Sequence, residues 1–428
     1  MGMKPKVNKW WHYLWLGIGL GISLVFLWMQ EVAIFPDMSG AMPTPIPAAS
    51  EIRGVWITNV ASGVLFSPWG INRALKQLSA LNFNTVYPVV WNRGHTFYPS
   101  QVAEKVTGRV QEPMLTLMRG GGDVLEEIIN VGHQQKLRVI PWFEYGFMAP
   151  KNSTLTKRHP EWISQPRSIK NYKNPGNKLE PELNFSQVNI PNFIRDRLIR
   201  QQVWLNPFHP KVQQLILNLI LEVVRRYDVD GIQLDDHFGL PVELGYDEFT
   251  VELYRREHGG KFPPDNPKDE EWMFWRSQKI NLFMQKIFTS VKAIKPECLI
   301  SLSPNSYEFS YGKYLQDWLT WVNRGWVEEL LLQVYRDDAK SFANSLSATA
   351  VQIAAEKIPV GVGILTGTLT HPVPVEQIQE QVQLVRDRQF DGVSFFYWET
   401  LWSYLTPDAP GQRRQAFKQL FSSPQSGT

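Results

Sequence analysis

The sequence predicts a (β/α)8 barrel, an α/β fold in which eight parallel strands alternate with eight helices. Three observations predict it. From Glu51 onward, short β-branched or aromatic runs alternate eight times with amphipathic stretches. Connections from helix back to strand are tight, as at Asn82–Asn84, Lys136–Leu137, Asp228–Asp230, Pro296–Cys298 and Gln389–Asp391. Connections leaving the second, third and fourth strands are long, at 92–122, 145–210 and 237–269. Loops of that length usually build a site, and in a barrel they gather at the carboxyl-terminal face. A doubly wound open sheet is the competitor, but Asn59-Val60-Ala61-Ser62-Gly63 is a weak match to its glycine-rich turn.

The elements follow in order. Lys4, Lys6 and Lys9 precede Trp10–Met29, a run without Lys, Arg, Asp or Glu. As a helix it reaches roughly 30 Å, enough to cross a hydrocarbon core, and basic residues in front keep that end cytoplasmic. Residues 1–31 therefore read as a signal anchor or, alternatively, a long signal peptide. Residues 32–50, with Pro36, Pro43, Pro45 and Pro47, read as a linker, and 51–424 as the barrel. The folded body is expected in the periplasm or cell envelope, tethered to the cytoplasmic membrane. Strands are predicted at Gly54–Asn59, Thr85–Trp91, Arg138–Glu144, Gly231–Asp236, Leu299–Ser303, Leu330–Arg336, Pro359–Leu365 and Gly392–Trp398. Helices are predicted at Ile71–Leu81, Asp123–Gln135, Lys211–Tyr227, Glu270–Lys295, Tyr314–Asn323, Ala339–Glu356, Val375–Arg388 and Arg413–Phe421.

Composition narrows the function. The 428 residues are 43% hydrophobic and 20% charged, which excludes a disordered chain. A net charge of +3 without a basic block argues against a nucleic-acid partner. Cys298 is alone, so neither a disulfide framework nor a Cys zinc site is available. The 17 tryptophans suit stacking on sugars or core filling.

The chemistry sits at predicted strand ends. A buried parallel strand should be nearly all apolar, yet Asp230-Gly231-Ile232-Gln233-Leu234-Asp235-Asp236-His237 ends in two carboxylates. Alternation puts Gln233 and Asp235 toward the barrel mouth and turns Asp236 toward a neighbouring strand or loop. Trp142 and Glu144 share a face at the third strand end; an ion pair with Arg53 or Arg93 is the structural alternative. Gln333 and Tyr335 end the sixth strand, Trp398 and Glu399 the eighth. Arg53, Asn59, Trp91, Asn92 and Asn305 complete the rim.

Carboxylates, amides, a tyrosine and tryptophans suit glycoside hydrolysis, which needs an acid at the leaving oxygen and a second carboxylate. Asp235 is expected as nucleophile or base and Glu144 or Asp236 as acid. Trp91, Trp142, Tyr335 and Trp398 are the expected sugar platform. No Gly-x-Ser-x-Gly elbow or Walker loop is present, and no cofactor is expected. A metal site at Asp235, Asp236 and His237 is disfavoured because adjacent strand residues point apart. A non-catalytic glycan-binding barrel is the alternative function.

Glu51-Ile52-Arg53-Gly54-Val55-Trp56, Trp91-Asn92-Arg93-Gly94, His159-Pro160-Glu161-Trp162, Trp204-Leu205-Asn206-Pro207 and Val229–Asp236 resemble the glycosyl hydrolase-like family ten over about residues 50 to 400. The resemblance implies a (β/α)8 fold and an envelope glycosidase cutting peptidoglycan glycan strands stripped of their stem peptides. Asp230-Gly231-Ile232-Gln233-Leu234-Asp235 is also similar to the fourth-strand motif of α-amylase-type barrels. That likeness implies Asp235 as the nucleophile, although Gln233 stands where those barrels carry Arg. The fifth strand lacks their terminal Glu, so the acid must come from elsewhere.

Overall fold

All eight predicted strand regions form strands, and they join one parallel sheet. A computed structural model describes residues 51–60, 62–167, 202–368, 371–402 and 406–422. The expected anchor (1–31) and linker (32–50) lie outside these residues. Among the described residues no helix is long and apolar enough to cross a membrane. The strands are β1 (Ile52–Ile57), β2 (Thr85–Pro88), β3 (Arg138–Val139), β4 (Trp142–Phe143), β5 (Gly231–Asp235), β6 (Leu299–Ser303), β7 (Glu329–Gln333), β8 (Val360–Leu365) and β9 (Gly392–Phe396).

Their order is β3-β2-β1-β9-β8-β7-β6-β5-β4, and the pairs are parallel. The outermost two, β3 and β4, are halves of the one strand expected at Arg138–Glu144. Pro141 splits them because it has no N–H for the ladder. Ile140 N–H still bonds the Val86 carbonyl, and the Pro141 carbonyl accepts from Gln233 N–H. Val90 N–H reaches the Trp142 carbonyl at 2.9 Å. The sheet is thus curled, with both edges meeting in one segment.

Helices cover the outer face. Val124–Gln134 begins at Asp123, whose carboxylate accepts from Glu126 N–H, satisfying a donor that the helix start leaves open. Pro210–Arg226 starts with proline and buries Val212, Leu215, Ile216, Leu219 and Val223 against the strands. The helix expected at Tyr314–Asn323 is two, Tyr307–Tyr314 and Trp318–Asn323, separated by Leu315 at φ 54°. Gly392, at φ 136°, is required where β9 meets β1: a Cβ there would lie 2.1 Å from the Ile52 carbonyl oxygen.

Polar layers cross the sheet's concave interior. Near the amino-terminal end, Tyr87 donates to Glu329, which also pairs with Arg138 at 2.8 Å. Above it, the Trp56 indole N–H donates to Gln233 Oε1 at 2.7 Å, and Gln233 Nε2 donates to Ser301. Gln233→Leu fills nearly the same volume but orphans two fully buried polar groups. An orphaned buried group costs about 1–3 kcal/mol, so urea unfolding is expected to lose at least that. Unchanged stability would show that this layer is dispensable.

Candidate active site

The strand ends place one residue set around a common centre. β5 stops at Asp235, and the chain turns at once, with Phe238 N–H bonding the Asp235 carbonyl at 3.0 Å. That turn brings adjacent side chains together instead of apart. His237 Nδ1 lies 2.7 Å from Asp236 Oδ1 and 3.2 Å from Asp235 Oδ2. Among the described residues, Asp235, Asp236 and His237 also offer metal-type ligand atoms within 4.8 Å of one another. The expected divergence is therefore corrected.

The two aspartates differ in surroundings. Asp235 Oδ1 accepts from Ser303 at 3.2 Å and from Gln333 at 2.9 Å. Asp236 Oδ2 accepts from Asn305 at 2.6 Å, in the neighbouring loop toward which it was expected to turn. The Asp235 side chain is only 3% exposed, that of Asp236 18%. Burial, and then the negative Asp236 beside it, hold Asp235 well above the usual carboxylate range despite His237. Burial also opposes charge on Asp236, but the His237 imidazolium and hydrogen bonds from His237 and Asp235 prevail and hold it low. Burial would lower His237, yet Asp236 and Asp235 drive it well up. These influences favour the proton on Asp235, and the charged forms of Asp236 and His237.

His237 is further held by stacking. Tyr145 lies face to face on its ring at 5.1 Å and 4°, Trp204 lies on it at 6.1 Å and 29°, and the Arg93 guanidinium sits over Tyr145 at 5.6 Å. Electron-rich faces beside an imidazolium favour the charged form.

Glu144, just past β4, completes the set. Its Oε2 accepts from Thr58 at 3.0 Å and from Asn92 at 2.6 Å, and Asn92 also donates to Asn59 at 2.7 Å. Burial raises its pKa to about 7 against the lowering effects of Thr58, Arg93, His237 and Asn92. Such a carboxyl can hold or release a proton near neutrality. Tyr335 is half-buried as a residue, and its hydroxyl is pushed well up by burial and then by the charges of Asp235, Asp236 and Glu144.

Asn59, Asn92, Asn305, Gln333 and Tyr335 thus join Glu144, Asp235 and Asp236 as expected. Other expected binding residues do not. Arg53 lies near the amino-terminal end of β1, opposite the mouth, with its guanidinium over Phe421. Gln233 is sealed in the layer below. Trp91 is fully buried with its N–H on the Gly146 carbonyl, Trp142 wedges against Trp56 and Phe396, and Trp398 packs on Trp402. These indoles fill the core, so of the expected platform only Tyr335 has an accessible face. Glu399 is buried with its Oε1 on the Ser62 hydroxyl, and burial raises it to about 8 despite that bond. Neither oxygen is available to a sugar. Thr58 and Tyr145 were not singled out in the sequence, and Trp204 stood there only within a family motif; the fold brings all three here.

Glu399 and Glu144 hold protons more tightly folded than unfolded, since both sit above their ordinary 4.5. Between about pH 5 and 8 the folded chain therefore binds more protons than the unfolded one, and its stability falls as pH rises. Melting temperature is expected to decline across that window, and Glu399→Gln to flatten the slope. An unaltered slope in that variant would refute the contribution of Glu399.

The model of the family described as glycosyl hydrolase-like 10 matches residues 51–199 and 187–385. Glycosyl hydrolase DigH of Escherichia coli is 25% identical over 360 residues, spanning 73% of this chain and 72% of that protein. Glycosyl hydrolase YngK of Bacillus subtilis is 24% identical over 275 residues, 59% of this chain and 45% of that protein. The glycoside hydrolase domain of PgaB (BpsB) from Bordetella bronchiseptica superposes at a TM-score of 0.60 with 12% identity, covering 88% of this chain and 99% of that one. An α-L-fucosidase from Paenibacillus thiaminolyticus gives 0.53 at 14% identity, covering 87% and 48%; at such identities the likeness concerns the fold. With the family match spanning most of the described residues, the chain belongs to the glycosyl hydrolase-like 10 family and is a glycosidase.

Proposed function

We propose that the chain hydrolyses an envelope glycan, with peptidoglycan strands stripped of stem peptides as first substrate, and that its curled sheet is a closed (β/α)8 barrel. One arrangement carries this reading: Glu144, held by Thr58 and Asn92 past β4, and the Asp235, Asp236 and His237 cluster at the end of β5 come from different strands and stand together at the strand ends. Acetal cleavage needs a division of labour, one carboxyl protonated for the leaving oxygen and one charged for the anomeric centre. Glu144 is the acid. Asp236 is the charged partner that attacks the anomeric carbon or activates water, and Asp235 shares its proton and fixes it through His237.

The substrate is supported by the family resemblance and by the uncharged run Trp10–Met29 behind Lys4, Lys6 and Lys9, which suits export and anchoring. The test incubates the full chain with amidase-treated murein, intact murein and a panel of α- and β-glucans, and identifies products by mass. Cleavage of stripped strands alone is the expected result; cleavage of a glucan instead would reject the substrate. The anchor predicts full-length protein in washed membranes, and a shorter soluble form would contradict it.

A further inference from the structure

We propose that Glu399 is a positioning residue for Glu144, acting through the loop that leaves β1. This inference rests on the reading of Glu144 as the acid. The loop is strung between two buried carboxyls from different strand ends. At its start, Thr58 Oγ1 accepts from Val60 N–H and donates to Glu144 Oε2, while Asn59 holds the Asn92 amide that also donates to Glu144 Oε2. A few residues on, the Ser62 hydroxyl donates to Glu399 Oε1, and the nearby Gly63 and Val64 backbone favours the charged form of that carboxyl.

Glu399 has no competing task. Among the described residues its Oε2 is buried without a hydrogen-bond partner, and its side-chain hydrogen bond runs to Ser62 of this loop. Past Val64 the loop is firm: Phe66 and Ser67 N–H both return to the Gly63 carbonyl, and a Cβ on Gly70 would meet the Val64 carbonyl oxygen at 2.6 Å. Ser62 is joined to Thr58 through four peptide bonds, so releasing it from Glu399 loosens the end of the loop that Thr58 begins. The charged or titratable groups that face Glu144 are Arg93, His237 and Tyr335; Tyr397 stands beside Glu399.

The bonds from Thr58 and Asn92 favour the charged form of Glu144, so loosening them raises its pKa. Glu399→Ala and Ser62→Ala in the full chain are each expected to lower kcat with little change in KM. Each should also move the alkaline limb of kcat up by about one pH unit, the scale of one hydrogen bond to a carboxylate. Glu399→Gln keeps an acceptor oxygen and is expected to recover most of the loss. Carboxyl carbon NMR of the same variants without substrate, with the Glu144 resonance assigned by its absence in Glu144→Gln, reads the titration directly. If Glu399→Ala does not fold, Ser62→Ala carries the test alone. Wild-type limb and wild-type Glu144 titration in Ser62→Ala would overturn the proposal. A moved titration with an unmoved limb would uphold the strap and instead reject Glu144 as the acid.

Discussion

Asp236→Asn is expected to cut kcat by about a thousandfold or more, the scale for losing a charge that acts only in the transition state. The amide keeps the shape but loses the charge that His237 balances at 2.7 Å. Asp235→Asn is expected to be nearly as damaging for a different reason. Its amide oxygen can still accept from Ser303 and Gln333, but its NH2 then faces the His237 Nδ1 donor, two donors at 3.2 Å. The cluster must shed a proton, and Asp236 loses its partner. The alanine variants separate the roles: azide or formate should rescue Asp236→Ala, whose missing group meets the sugar, and not Asp235→Ala. The reverse pattern would assign the attack to Asp235, as the α-amylase-type motif implies. Full activity in both asparagine variants, at a melting temperature near that of the original chain, would remove the mechanism.

Glu144→Gln is expected to lower kcat by about a hundredfold to ten-thousandfold, the usual range for removing a general acid. The loss should shrink on aryl glycosides, whose leaving groups need little protonation. Glu144 must be protonated to act, and burial raises its pKa to about 7. Activity is therefore expected to fall as pH rises through about 7, and that limb should vanish in Glu144→Gln. A limb unchanged in the variant would place the acid elsewhere. These two results bear on different strands, so their effects should combine less than additively if both groups serve one bond cleavage.

Much of this site was legible in the chain. A run of apolar strand residues interrupted at its end by Asp235 and Asp236 has few local explanations, and both residues stand at the centre of the cluster. Glu144 was legible for the same reason, as was Asn305 beyond β6. The tryptophans were not. Trp91 and Trp142 are as well placed along the chain as Tyr335, yet Trp91 is buried with its N–H on the Gly146 carbonyl and Trp142 packs against Trp56 and Phe396, so both indoles lie in the core. Glu399 shows the same limit: its position predicts a rim carboxylate, and only contact with Ser62, 337 residues away, reveals it as internal.

Alternation of apolar and polar residues along the chain determined where the strands lie and which acids stand at their ends, because side-chain period and strand length are local properties. Tertiary structure decided which acid bears charge. Protonation depends on burial and on neighbours that chain folding brings close: His237 turned back on Asp235 and Asp236, Thr58 and Asn92 set against Glu144, and Tyr145 laid over the imidazole.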